Sequence, residues 1–268
     1  ENNAIPENRQ YLYDPYYNNC ATKLRDISTT ILGKKISFNP LNSSQKEVSL
    51  RDLMAAKIPW NTWGSFGINL ALGNKLDKIA TEEQYMYLPD YVFSKFKNAT
   101  IDKNGNLKNL VKREDILTKH KERKYAVGIL NPLLVFTVIS VFGIFITYKD
   151  LKKKNRTSWL DFLSFFVTGF VGIIILFLWF FTDHSTTPNN FNFLWAFAPN
   201  LFFAIMLLKK IKKSWIVTYV KILILFLIVI PFVWMFKIQE LPIAIIPFLV
   251  FLLVRYIYLQ KNLLPSVK

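Results

Sequence analysis

The only thiol in the chain stands in the run Asp14-Pro15-Tyr16-Tyr17-Asn18-Asn19-Cys20-Ala21-Thr22-Lys23-Leu24-Arg25-Asp26-Ile27. Asp14-Pro15 reads as a turn, Asn19 is a good N-cap, and Leu24, Ile27 and Ile31 follow Cys20 at helical spacing on one face. Cys20 is therefore expected at the first position of a helix that runs to about Leu32 and stops at Gly33. At such a position unpaired backbone N–H groups and the positive end of the helix dipole favour a thiolate. The spacing thus suggests a nucleophile, with the N–H groups of Cys20 and Ala21 placed to stabilise an oxyanion. A small buried hydrophobe heading an apolar stripe is the other reading that the spacing allows.

A nucleophilic thiol needs a base, and the chain has two histidines. His120 lies in Lys119-His120-Lys121, a charged link expected to be solvated. His184, beside Asp183 in the segment Thr182 to Asn192, is the better candidate for a general base, although a structural or headgroup-contacting role is the alternative reading. One cysteine excludes an intrachain disulfide, and neither Cys–Cys nor Cys–His spacing suggests a zinc site, so no metal is implied.

The elements that must position these groups fall into two unlike halves, because the 268-residue composition changes sharply near residue 125. Residues 1–124 are polar and rich in Asn, Asp and Glu, whereas long runs of Phe, Ile, Leu and Val follow Tyr125. Much of the net charge of +16 sits in Lys149 to Arg156 and Lys209 to Lys213, between apolar segments. That is the positive-inside pattern of a membrane protein, not a nucleic-acid face. The chain opens at Glu1 with neither a methionine nor a signal peptide, so further N-terminal sequence is expected upstream.

The first half reads as α+β. Ser49 is a plausible N-cap for a helix over Leu50 to Lys57, Thr81-Glu82-Glu83-Gln84 has the capping-box pattern, and Pro89 restarts a helix through Phe96. Asn104-Gly105 signals a hairpin. Lys34 to Lys46 is expected to be a loop, and Trp60 to Gly73, with three glycines and no sustained period, a compact loop lining a groove.

Five apolar segments follow, Tyr125–Tyr148, Trp159–Thr182, Phe193–Leu208, Trp215–Phe236 and Leu241–Leu259, the third of them short for a span. The distribution of Lys and Arg puts the connections after the first and third, and the C-terminus, in the cytoplasm. Residues 1–124 and the Asp183–Asn192 loop are then outside. Asn131 in the first segment and Asn200 in the third are expected roughly 10 Å below the outer surface by helical rise, facing one another as interhelix glue or as a polar notch. Asn190 and Asn192 at the outer loop join them as candidates for substrate contact. Lys221 and Arg255 are placed to snorkel and Asp161 lies near the cytoplasmic surface, so none of the three is assigned a role.

Several of these runs carry a family resemblance. Pro6-Glu7-Asn8-Arg9-Gln10-Tyr11-Leu12-Tyr13 joined to Tyr17-Asn18-Asn19-Cys20-Ala21-Thr22-Lys23-Leu24-Arg25-Asp26, with Phe66 to Gly73, Asp77 and Leu88-Pro89, resembles the Lnb-type N-terminal periplasmic domain family. The run from Thr182 through Asn192, Leu194, Trp195 and Pro199 looks like the membrane region of the same proteins. The Asn19-Cys20 helix start is also similar to that of the permuted papain-like acyltransferases typified by lecithin:retinol acyltransferase.

The resemblance implies a permuted papain-like α+β domain over residues 1–118, incomplete at its N-terminal side, and an all-α membrane domain of five transmembrane helices over 119–268. It implies a bacterial inner-membrane lipoprotein N-acyltransferase without a cofactor, with a phospholipid as acyl donor and a lipoprotein as acceptor. Cys20 carries over as the nucleophile, and Asn19, Arg25 and Asp26 as supports of the helix start. In those folds the histidine precedes the cysteine, and none precedes Cys20 here. The rival readings are a membrane-anchored cysteine peptidase or amidase acting on cell wall, and a non-catalytic scaffold or transporter subunit in which Cys20 only packs.

Overall fold

Packing divides the chain into two units, one formed by Glu1–Met54 with Lys78–Lys124 and the other by Ala55–Asp77 with Tyr125–Lys268. The computed structural model describes residues 5–8, 10–40, 47–118, 127–208 and 214–263, so that His120 and the basic runs 119–124 and 209–213 lie outside the described residues. In chain order the elements are α1 (Cys20–Leu32), β1 (Ile36–Ser37), α2 (Leu50–Ala55), α3 (Trp63–Ala71), α4 (Pro89–Lys97), β2 (Thr100–Lys103), β3 (Asn106–Asn109), α5 (Pro132–Lys153), α6 (Ser158–Phe180), α7 (Asn200–Leu208), α8 (Ser214–Met235) and α9 (Ile246–Asn262).

The first unit is small and mixed. Its antiparallel sheet has the order β1-β2-β3, with Ile36 opposite Ile101 and Thr100 opposite Asn109. Asn104 and Gly105 both take positive φ, 55° and 84°, which is why this dipeptide closes the β2–β3 hairpin. The sequence reads Lys34 to Lys46 as a loop, but Ile36 and Ser37 pair along β2 as a third strand. Such a two-residue edge has too few alternating positions to show a period. Thr81 and Gln84 exchange the expected capping bonds, Thr81 N–H to Oε1 and Gln84 N–H to Oγ1, at the start of a 3₁₀ turn, Gln84–Tyr87. That turn and α4 pack on α1 around Ala21, Met86 and Val92, with Phe38 and Phe96 at the margin.

The second unit is helical. α5, α6, α8 and the stretch Ile243–Asn262 that contains α9 are each long and apolar enough to cross a membrane. The third apolar segment differs from a regular span: a 3₁₀ turn, Phe191–Leu194, precedes the nine-residue α7. Backbone of residues 196–201 lies directly on α6 there, since a Cβ on Gly169 would meet Leu201 N at 2.1 Å and one on Gly172 would meet Ala196 O at 2.2 Å. α9 packs on α5 as closely, where a Cβ on Gly143 would meet the Phe251 ring at 2.4 Å. The core is built from Phe165, Val220, Leu223, Phe251, Leu252 and Tyr256 and their neighbours.

Residues 55–77 belong to this helical unit and not to the polar half in which the sequence places them. Trp60 to Gly73 is moreover not a loop: Thr62 caps α3, accepting from Ser65 N–H, and Phe66 and Leu70 pack against the bundle core. Glycines at 64 and 67 and the aromatics around them hide a helical period that the packing nevertheless enforces.

Candidate functional site

Asn19 holds the start of α1 with every polar atom of its side chain. Its Oδ1 accepts from the N–H groups of Ala21 and Thr22, both at 2.9 Å, and Thr22 Oγ1 accepts from Asn19 N–H, completing a capping box. Its Nδ2 donates to the carbonyls of Pro15 at 2.8 Å and Tyr87 at 2.9 Å, which ties the helix start to the preceding turn and to the 84–87 turn. Cys20 follows as the first helical residue, and its side chain is exposed. The reading of Cys20 as a buried packing residue is therefore overturned. One part of the nucleophile argument also changes. Ala21 N–H is already bonded to Asn19 Oδ1, so of the two oxyanion donors expected from the sequence only Cys20 N–H is left without a partner among the described residues.

The stripe behind the thiol faces solvent too. Leu24, Ile27 and Ile31 are 57%, 47% and 75% exposed, while Ala21 and Thr22 are the buried residues of α1. The short Ala21 side lets α1 approach the 84–87 turn and α4, which leaves the larger apolar residues on the open side. Arg25 and Asp26 stand one turn beyond the helix start. Arg25 Nε and Asp26 Oδ1 are 2.8 Å apart and an Arg25 guanidinium nitrogen donates to the Glu83 carbonyl at 2.8 Å. They fasten α1 to the neighbouring turn without touching the cap. Below the turn, Tyr16 and Tyr87 lie ring to ring at 5.1 Å, with the Tyr16 hydroxyl 3.0 Å from Met54 Sδ and the Tyr87 hydroxyl donating to the Leu50 carbonyl. Burial pushes the Tyr16 phenol up to about 12 and raises Tyr87 as well.

The polar candidates of the helical unit serve α3. The last carbonyls of a helix have no intrahelical partner, and here three buried amides supply them. Asn192 Nδ2 donates to Asn69 O at 2.9 Å, Asn190 Nδ2 to Leu70 O at 2.8 Å and Gln239 Nε2 to Leu72 O at 3.1 Å. Asn192 Oδ1 in turn accepts from Trp195 Nε1. Just beyond, Gly73 N–H donates to Thr186 O, in so close an approach that a Cβ on Gly73 would stand 1.8 Å from Pro188 O. The other end of α3 is fixed by Asn61, which donates to Asn131 Oδ1 and accepts from Leu133 N–H.

Asn131 is thus the N-cap of α5, accepting from Leu134 N–H at 2.9 Å, and not a polar residue within a span. The helix starts at Pro132 because proline suits the first turn, so the apolar residues before it, Ile129 and Leu130, lie outside α5. Asn200 is fully buried, donates to Thr168 Oγ1 at 2.9 Å and accepts from the Tyr219 hydroxyl. Asn131 and Asn200 therefore each have other partners, and the notch expected between them is not formed by their pairing. His184 is exposed in the connection after α6, where its carbonyl accepts from Thr187.

A group that the sequence leaves without a role lies at the opposite end of the bundle. Arg255 does not snorkel: it is fully buried, with Nε on Asp161 Oδ1 at 2.6 Å, one terminal nitrogen on Asp150 Oδ2 at 2.8 Å and the other on the Thr157 carbonyl at 3.1 Å. Arg156 Nε approaches Asp161 Oδ2 at 3.2 Å, and its guanidinium also donates to the Leu207 carbonyl. Charged residues of both signs within the apolar segments were the available signal. Among the described residues no three His, Cys, Asp or Glu side chains converge as a metal-ligand set.

Comparison with known proteins adds one match. A family model described as the Lnb transmembrane domain covers residues 123–263, which takes in every long apolar helix of the second unit and does not extend to Cys20. No curated protein and no solved structure matches the chain. With more than half of its length accounted for by that model, the chain is a multi-pass membrane protein that belongs to the Lnb transmembrane domain family.

Proposed function

We propose that this protein is an acyltransferase of a bacterial inner membrane that moves a fatty acyl chain from a phospholipid, through a thioester on Cys20, to the N-terminal amine of a lipoprotein. The observation that carries the reading is an exposed thiol at the first position of a capped helix, in a chain whose membrane half is of the Lnb kind. In the first step the Cys20 sulfur attacks the ester carbonyl. An S–C bond forms, the C–O bond breaks, and the thiol proton ends on the released glyceryl oxygen. In the second step the lipoprotein amine attacks the thioester, the S–C bond breaks and an amine proton returns to sulfur. Cys20 N–H is the donor on hand for each oxyanion. Two transfers through a thiol replace one slow exchange of ester for amide.

In this reading the α3 end of the bundle and residues 1–124 face outward, with Lys149–Arg156 in the cytoplasm. The segment from Asn192 to Leu207 counts as a fifth pass despite its short helix. It supports this that Asn192 is bonded to α3 at one end while Leu207 is bonded to Arg156 at the other.

The test is the lipoprotein product. Cys20→Ala is expected to lower N-acylation by roughly three orders of magnitude or more while the protein stays in the membrane. Unchanged N-acylated lipoprotein in that strain overturns the proposal. His184 is the one described histidine, and it is the base in this scheme if His184→Ala loses activity as completely; retained activity assigns the proton to a group elsewhere, as the permuted papain-like resemblance implies.

A further inference from the structure

α5 packs mainly on α9 and α6 mainly on α7, so the wall of the bundle is open between α5 and α6. The opening leads into a slot of about 420 Å³. Its rim is formed by Ile139 and Phe142 of α5 and Leu163 and Val167 of α6, all exposed on the outside of the bundle. Its floor is formed by Leu160, Trp195, Phe248 and Phe251, all buried. Phe66 and Leu70 of α3 close one end, where the Phe66 and Phe136 rings meet at 5.0 Å. Along α6 the slot runs from Val171 to Trp159, roughly 18 Å at helical rise.

We infer that this slot seats one acyl chain of a membrane phospholipid, and so supplies the reaction proposed above, on which this assignment of purpose rests, with its donor chain. Its one hydroxyl, on Ser164, already donates to the Leu160 carbonyl at 2.8 Å and the Trp195 indole N–H to Asn192 Oδ1 at 3.0 Å, so apart from the Trp159 indole N–H the lining is apolar and poorly suited to hold water. The slot spans more than half of the roughly 30 Å hydrocarbon core, from the α3 end toward the Arg156 end of α6. The rim opens sideways into the medium in which phospholipid chains are the solvent. The volume lies in the range of ligand sites, about 300–1,000 Å³, and is far larger than a packing defect.

The test uses the full chain in vesicles of phosphatidylethanolamine and phosphatidylglycerol doped with a phospholipid that carries a diazirine on one acyl chain. After irradiation, adducts are mapped by mass spectrometry. Adducts on Trp195, Phe248 or Phe251 are expected together with those on outward residues such as Phe170 and Ile173. In Val167→Trp, and separately in Leu163→Trp, the floor adducts should fall about tenfold with the outward adducts unchanged, because both changes fill an exposed rim and leave the core alone. Adducts confined to outward residues, floor adducts indifferent to both rim changes, or floor adducts seen only with a photoreactive diacyl lipopeptide overturn the inference. Cys20→Ala keeps the floor adducts, so failure of acyl transfer and failure of the slot are read separately.

Discussion

Tyr16 and Tyr87 stand directly beneath the turn that carries Cys20, and their chemistry gives that turn a pH limit. Both phenols are buried and both are harder to ionise than an exposed tyrosine, Tyr16 up to about 12. A raised folded-state value means that the folded protein holds the proton more tightly than the unfolded chain. The associated stability is therefore fully present below about pH 10, the ordinary tyrosine range, and is lost as pH rises from there toward 12. For Tyr16 the loss amounts to roughly 1–3 kcal/mol. The expected outcome is that thermal unfolding of the first unit, followed at residues 16–30, begins at lower temperature at pH 11 than at pH 9. Tyr16→Phe should flatten much of that difference and the double Tyr16→Phe/Tyr87→Phe most of it. An equal decline in the double variant would refute the assignment to these phenols. The place of Cys20 at the helix start was legible because a cap, a turn and a stop at Gly33 are all local signals. The outward turn of Leu24, Ile27 and Ile31 was not, since spacing tells which residues share a face and not which face a fold buries.

At the scale of the element, α3 shows how far from its own sequence a helix can draw its stability. Its C-terminal carbonyls are satisfied by amides at positions 190, 192 and 239, and none of that is visible in Trp60 to Gly73 itself. The same is true of the asparagines: in the sequence Asn131 and Asn192 are polar residues near a lipid surface, and the structure employs them as caps and tethers of helix ends. The hairpin at Asn104-Gly105 and the Thr81–Gln84 box were readable because donor and acceptor lie within four residues. Asn192→Leu keeps the branched shape and removes the donors to Asn69 and Leu70 and the acceptor for Trp195, so it should cost about 1–3 kcal/mol locally. Gln239→Leu should act on the same helix through Leu72. In both variants amide exchange across residues 63–74 is expected to quicken while α8 and the core of α9 hold their protection. Uniform acceleration throughout the unit would show instead that these amides stabilise the whole bundle rather than α3.

Across the whole molecule the charged residues are arranged so that the far end of the bundle is locked by a neutral group, Arg156 and Arg255 against Asp150 and Asp161. The group joins α5, the connection that follows it, α6 and α9, and through Leu207 it reaches α7. A buried guanidinium that uses its Nε and both terminal nitrogens on four different partners cannot be replaced by a single ammonium, so Arg255→Lys is not conservative here. Arg255→Leu leaves Asp161 facing only Arg156, and Asp150 held only by its bonds from Thr157, and should lower stability by about 3–5 kcal/mol. Asp161→Asn, which still leaves Arg255 paired with Asp150, should cost less. Replacing Asp150, Asp161 and Arg255 together with leucine should recover much of the loss, because the one charge left, Arg156, is partly exposed and keeps its bond to the Leu207 carbonyl. The thermal midpoint of the purified full chain in detergent orders the four variants. If Arg255→Leu is as stable as the parent, the group is solvated at that end and does not lock the bundle. If the triple variant is worse than Arg255→Leu, the side chains are needed for their hydrogen bonds to Thr147 and Thr157 as much as for their charge.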